Sequence, residues 1–241
     1  MKTFIKLILQ KLLGFRNYLY IFSRFIILKL PRDKNEKDFL HFIKLLPPDG
    51  TVLDIGANIG VMSYYLARSS PSRNVIAFEP IPYNYDNLLR IKRKFRLDNI
   101  TLQKTALGNE EGEIEMILPV EHSVRFHGLA HVKDKDTQDK NKGELYRCPV
   151  HKLDNLLQDN KDIKGIKIDV ENFEFHVLKG AEQLLRKNMP IIYCELWDNE
   201  NRVNTMQLLT GMGYSVLVLE GGSLEPFEPD KHTTQNFFFK V

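Results

Sequence analysis

The chain has 241 residues, 43% apolar and 27% charged, enough for one sizeable buried core plus an appendage. Its two cysteines, Cys148 and Cys194, lie far apart without a CxxC or zinc spacing, which argues against a disulfide framework and suits a reducing cytosol. The net charge of +3 is uneven: residues 1–32 hold seven basic side chains and no acid, leaving the remainder at −4. A mildly acidic body gathers phosphates poorly, so no nucleic-acid partner is expected.

In chain order, residues 1–32 read as a basic, apolar helical arm. A charge every few residues keeps its uncharged runs well below the ~18–20 residues a membrane span needs. Lys6 and Lys11 also spoil a signal peptide. On one helix, Lys2, Lys6, Gln10, Asn17 and Arg24 share a polar face, with Phe4, Ile5, Ile8, Leu9, Leu12, Phe15, Leu19 and Phe22 over the rest. Residues 1–30 either lie on an anionic membrane surface, making a cytoplasmic protein peripheral on the inner face, or cover one edge of the domain.

Residues 33–241 read as a single domain. Asp33–Leu46 has helical spacing and stops at Pro47-Pro48. Strands are expected at Thr51–Ile55, Asn74–Phe78, Ile100–Lys104, Ile163–Ile168, Ile191–Glu195, Tyr214–Leu219 and Phe237–Lys240. Helices are expected at Ile59–Ser69, Tyr83–Phe95, Phe173–Arg186 and Asn201–Met212. This alternation predicts an α/β fold with a mostly parallel seven-stranded sheet, its last two strands pairing antiparallel as a hairpin at one edge. Residues 119–150, with the charge-dense run KDKDTQDKNKG, interrupt the rhythm as an insertion.

The chemistry concentrates at strand ends. In TVLDIGANIG (51–60), Asp54 ends a strand, and Gly56 and Gly60 open the turn into a helix, the place where open α/β sheets bind ligands. The pattern D-x-G-x-x-x-G lacks the third glycine of the dinucleotide fingerprint, and an acid there suits a cationic, phosphate-free ligand. Glu79 ends the next strand, where a carboxylate can accept hydrogen bonds from ribose hydroxyls.

Seven segments in order (DIGANIG, FEPIPYNYDNL, TALGNEEG, HKLDNLL, IKIDVENFEFHVLKGAEQLL, PIIYCEL and NFFFKV) resemble the FkbM-type methyltransferases over residues 50–241. The resemblance implies a class I methyltransferase, Rossmann-like three-layer sandwich and S-adenosylmethionine as donor, with a hydroxyl of a sugar or natural product as acceptor; the membrane-adjacent arm adds a glycolipid to these. It implies that Asp54, Gly56, Asn58 and Gly60 hold the methionine moiety, Glu79 the ribose, and Ala106 and Leu107 flank the adenine. The family's usual DVEG reads DVEN here, with Asn172 replacing glycine; Asn is the non-glycine residue best suited to left-handed backbone.

For O-methylation a base must take a hydroxyl proton. Asp169 is the first candidate, with His127 and His131 of the insertion as alternatives. Glu171, Glu195 and Trp197 are expected around the acceptor, the tryptophan by stacking on a sugar. Asp169 and Glu195 alone make an incomplete cation site, so no metal is expected. Two rivals remain: an NAD-dependent oxidoreductase, disfavoured by the missing glycine, and a non-catalytic membrane-associated binding module, disfavoured by Glu79 and the intact glycine turn.

Overall fold

Residues 2–133, 142–158 and 162–241 are described by a computed structural model; the run KDKDTQDKNKG lies mostly outside them. The arm is two helices, α1 (Lys2–Leu13) and α2 (Phe15–Lys29), broken at Gly14 where φ is +70°. Short 3-10 turns lead into α3 (Lys37–Leu45). Then come β1 (Thr51–Ile55), α4 (Val61–Ser69), β2 (Asn74–Phe78), α5 (Pro82–Phe95) and β3 (Ile100–Gln103). The next elements are β4 (Ala106–Leu107), β5 (Gly112–Glu121), β6 (Val124–Arg125), β7 (His131–Val132), β8 (Gly143–His151) and α6 (Leu153–Leu156). The chain finishes with β9 (Ile163–Ile168), α7 (Glu174–Lys179), α8 (Glu182–Asn188), β10 (Ile191–Glu195), α9 (Glu200–Thr210), β11 (Ser215–Glu220), β12 (Ser223–Pro226) and β13 (Asn236–Lys240).

The main sheet runs β3-β2-β1-β9-β10-β13-β11-β12, the first five strands parallel. It has eight strands where seven are expected from the sequence. The last two expected strands do pair antiparallel, as β11 with β13, but the pair is not at the edge. Strand β13 enters antiparallel between β10 and β11, and the edge hairpin is β11 with β12. Residues Ser223–Pro226 carry only one strongly apolar side chain, so their strand character comes from backbone pairing with β11 and not from a hydrophobic pattern.

Alternation along each strand feeds two cores. Val52, Val75 and Phe238 pack under α2, α3, α4 and α5 on one face. Leu53, Ile168, Phe237 and Phe239 pack under α7, α8 and α9 on the other. That is the three-layer arrangement, and strands covered on both faces explain runs such as NFFFK. The single helix expected at Phe173–Arg186 is two. The second starts where the Asp154 carboxylate accepts hydrogen bonds from Gln183 N (3.1 Å) and Leu184 N (2.8 Å), the donors a new helix leaves unsatisfied. A second sheet, β4-β8-β5-β6 with β7 on β5, spans Ala106–His151 and so begins before the expected insertion at 119–150.

Candidate active site

The turn after β1 is built by close backbone approaches. Gly56 has φ +75°, and a Cβ on it would stand 1.8 Å from the Asp169 carbonyl oxygen. The close approach that requires glycine here is thus to the end of β9, where the sequence suggests an approach to ligand. Phe78 O accepts from Gly56 N (3.1 Å) and Ala57 N (2.9 Å), joining the turn to β2. Gly60 begins α4 at φ +86° with Leu88 of α5 packed where its Cβ would be.

Glu79, at the end of β2, is buried inside this turn. Its Oε2 accepts from Asn58 N (2.8 Å), its Oε1 from Ile81 N (2.9 Å) and, at 3.4 Å, from Asn84 Nδ2. Burial raises its pKa to about 7, against the opposing effect of those hydrogen bonds. Glu79 sits in a cleft of about 620 Å3. Gly56, Asn58, Ala106 and Leu107 line it, as do His127, Asp169 and Glu171. Asn84 Oδ1, buried in the same wall, has no hydrogen-bond partner among the described residues. Ribose hydroxyls suit it and the lone pairs Glu79 keeps, and the apolar lining of Phe78, Ile81 and Leu107 suits an adenine.

Asp54 does not line the cleft. It is fully buried behind the turn, where Oδ2 accepts from Ser63 Oγ and Oδ1 lies 3.4 Å from Lys167 Nζ. Lys167 is itself buried; it donates to Gly56 O (3.0 Å) and stands 3.8 Å from Asp169. Burial works against the charge of this lysine, but Asp54, Asp169 and Glu195 outweigh it and hold its pKa above the usual value. The pair is a cross-strand one, Asp54 and Lys167 being register partners on β1 and β9. Sequence reasoning passed over Lys167, although a lysine inside the apolar run IKGIKI is a signal that something acidic faces it.

Beyond β9 the backbone turns sharply. Glu171 (φ +54°) and Asn172 (φ +73°) are consecutive left-handed non-glycine residues. Asn172 Oδ1 accepts from Asn199 Nδ2 (2.7 Å), its carbonyl from Asn201 Nδ2 (2.7 Å), and Glu174 Oε1 accepts from Val170 N and Asn172 N. Glu171 makes no hydrogen bond or ion pair among the described residues, and burial with Asp169, Glu195 and Glu174 nearby raises its pKa to about 8. It lines both the first cleft and a larger, open one of about 2430 Å3, whose other walls include His131, Phe175 and Trp197. Glu195 lines neither; burial and Asp169 raise its pKa to about 7.

The insertion histidines His127 and His131 lie on different elements. His127 is in a 3-10 turn against Asn58 Oδ1 (3.1 Å) and the Phe22 ring, and burial lowers its pKa to about 4. An imidazole so held is a weak proton acceptor. His131 is on β7 with Nδ1–H donating to Leu129 O (2.8 Å).

A sequence profile of the methyltransferase FkbM domain matches residues 54–216. Methyltransferase sdnD of Sordaria araneosa is 26% identical over 74% of this chain and 79% of its own. Methyltransferase 1 of Beauveria bassiana (strain ARSEF 2860) is 24% identical over 78% of this chain and 85% of its own. The crystal structure of an FkbM methyltransferase from Methylobacillus flagellatus KT superposes with a TM-score of 0.55 at 16% identity. That match covers 82% of this chain but only 45% of the longer neighbour.

Proposed function

Because the chain belongs to the FkbM methyltransferase domain family and is thus an S-adenosylmethionine-dependent methyltransferase, we propose that it methylates a hydroxyl oxygen of a saccharide, glycolipid or natural product. The observation that carries this reading is the junction of the two clefts at Glu171: one cleft is walled around Glu79, the other is open to an acceptor. When bound, the donor supplies a methyl carbon on a cationic sulfur. Glu79 and Asn84 would hold its ribose, Asn58 and the Gly56 turn its amino-acid end, and Ala106 and Leu107 its adenine. Asp169 puts an acid in the cleft that favours the cation, and Glu171 adds its charge as it ionises near pH 8.

Of the candidate bases, Glu171 fits best. Asp169 is drawn toward Lys167, His127 is too weak, and His131 lies in the open cleft away from the Glu79 pocket. Glu171 takes the proton of the acceptor hydroxyl and passes it to solvent through the open cleft. Trp197 and Phe175 offer rings on which a sugar face can stack. Contact of residues 1–30 with an anionic membrane, and a place at its inner face, belong to the same reading; no helix among the described residues is long and apolar enough to cross a membrane.

Calorimetric titration with S-adenosylmethionine and S-adenosylhomocysteine tests the site: both bind, and a nicotinamide dinucleotide does not. Mass spectrometry of glycans and small molecules from cells lacking the protein then finds the acceptor by the loss of one methylene. Binding of neither sulfur compound overturns the assignment of the clefts.

A further inference from the structure

Helix α1 turns its polar side toward the protein. Gln10 is buried, donating from Nε2 to Arg125 O (3.0 Å) and accepting at Oε1 from Arg125 N (3.0 Å). Lys6 leans back over the Phe126 ring at 5.1 Å. What faces outward on α1 is Phe4, Ile5, Ile8, Leu9 and Leu12, the last 77% exposed. On α2 it is Ile21, Phe25 and Leu28. Single exposed leucines are ordinary on any protein, but an exposed apolar arc on each of two successive helices marks an interaction surface. At 100° per residue the α1 arc is bordered by Lys11 and the α2 arc by Arg24 and Lys29, in a stretch without one acid.

We propose that this outer face of α1 and α2 docks on an anionic lipid bilayer, apolar side chains among the acyl-chain ends and basic borders at the lipid phosphates, so that the enzyme draws its acceptor from the membrane. This rests on the arm reading above and adds the face, its orientation and the source of the acceptor. Charge selects the occupant. A second copy related by a two-fold axis would bring the same basic borders together, whereas anionic headgroups neutralise them. Helices of 12 and 15 residues are too short to span, so they lie in the plane of the interface.

The same surface is built onto both clefts. Strand β6, which Gln10 grips, pairs with Val120 and Glu121 of β5, and those residues wall the open cleft. Neighbouring strands lie about 5 Å apart, so one hairpin both carries the docking helix and walls the acceptor cleft. On α2, Phe22 packs on His127 of the inner cleft. Ser23 Oγ accepts from Asn87 Nδ2 (3.1 Å), which also donates to Ile59 O (2.8 Å) in the glycine turn. A bilayer under the arm therefore holds headgroup-level hydroxyls beside the open cleft.

The test floats the full-length protein with vesicles of phosphatidylglycerol and phosphatidylcholine, or of phosphatidylcholine alone. The protein is expected to float with the anionic vesicles only. The variant Leu12→Glu/Phe25→Glu/Leu28→Glu, altered at exposed positions, is expected to lose about tenfold or more in partitioning, while its affinity for S-adenosylhomocysteine stays within about twofold of wild type, since no contact to the clefts is changed. Lys11→Gln/Arg24→Gln/Lys29→Gln is expected to lose the preference for anionic lipid. Equal flotation of wild type and the triple-Glu variant overturns the proposal. So does equal binding to phosphatidylcholine alone, or a concentration-dependent dimer in light scattering that the triple-Glu variant abolishes without any vesicle binding. Failure of the methyltransferase reading is separate, showing as no S-adenosylhomocysteine binding by the wild type.

Discussion

Lys167 and Asp54 face each other across two parallel strands with no water-exposed route for either charge. Removing one member of such a pair leaves the other buried and uncompensated. Lys167→Met is therefore expected to cost about 3–5 kcal/mol in a denaturant titration, and adding Asp54→Asn should recover part of that loss. If Lys167→Met unfolds at the wild-type midpoint, the pair has no structural role. The ribose role proposed for Glu79 is tested on ligand. Glu79→Ala should weaken S-adenosylhomocysteine binding by about 1.5–3 kcal/mol in calorimetry, the range for hydrogen bonds to a charged group. Unchanged affinity would remove Glu79 from the ribose site.

At the scale of elements, the turn from β9 to α7 carries the proposed base Glu171 and the local backbone strain. Two consecutive left-handed non-glycine residues each cost about 1–3 kcal/mol and persist because Asn199 and Asn201 clamp Asn172. Asn172→Ala is expected to lower stability by about 1–3 kcal/mol, since it keeps the left-handed backbone and loses the side-chain anchor. Asn172→Gly should cost less, because the backbone strain disappears with the anchor.

The same turn sets a pH dependence. The pKa values of Glu171 (about 8), Glu174 (about 7) and Glu195 (about 7) stand above the ordinary 4.5, burial being the first cause in each. The folded protein thus holds protons that the unfolded chain releases. The stability these groups contribute is complete below about pH 4.5 and is lost as pH rises through about 7–8. Urea midpoints should fall between about pH 5.5 and about pH 8.5, and the cationic donor should restore more stability at the upper end than its uncharged-sulfur product. Equal stabilisation by the two ligands across that range would remove the acids from the donor's electrostatics.

Over the whole molecule, the arm is part of the core as well as of the surface. Tyr18, Leu19 and Ile27 of α2 join the same buried cluster as Phe39, Phe42 and Leu66. Cutting the chain at Pro31 would uncover that cluster, so the shortened protein is expected to lose a sharp thermal transition. Leu19→Ala in the full chain should cost about 2–5 kcal/mol, read from denaturant unfolding. A sharp melt after truncation would show that the arm is a detachable appendage.

The sequence by itself determined the α/β class, five parallel strands in their order of appearance and the glycine turn facing Glu79, because strand periodicity, punctuating glycines and strand-end acids are local signals. Tertiary structure decided the rest. Whether Asp54 faced a ligand or a buried lysine depended on which strand became the neighbour of β1, and that neighbour, β9, lies more than a hundred residues away. The short strand β12, the position of β13 inside the sheet and the start of α8 at the Asp154 carboxylate all depend on tertiary partners with no signature of their own in the sequence. The polarity of α1 is the same case. A helix pattern shows that one side is polar, and only the contact of Gln10 with Arg125 decided that this side faces inward, because a buried amide is stable wherever a backbone donor and acceptor are both within reach.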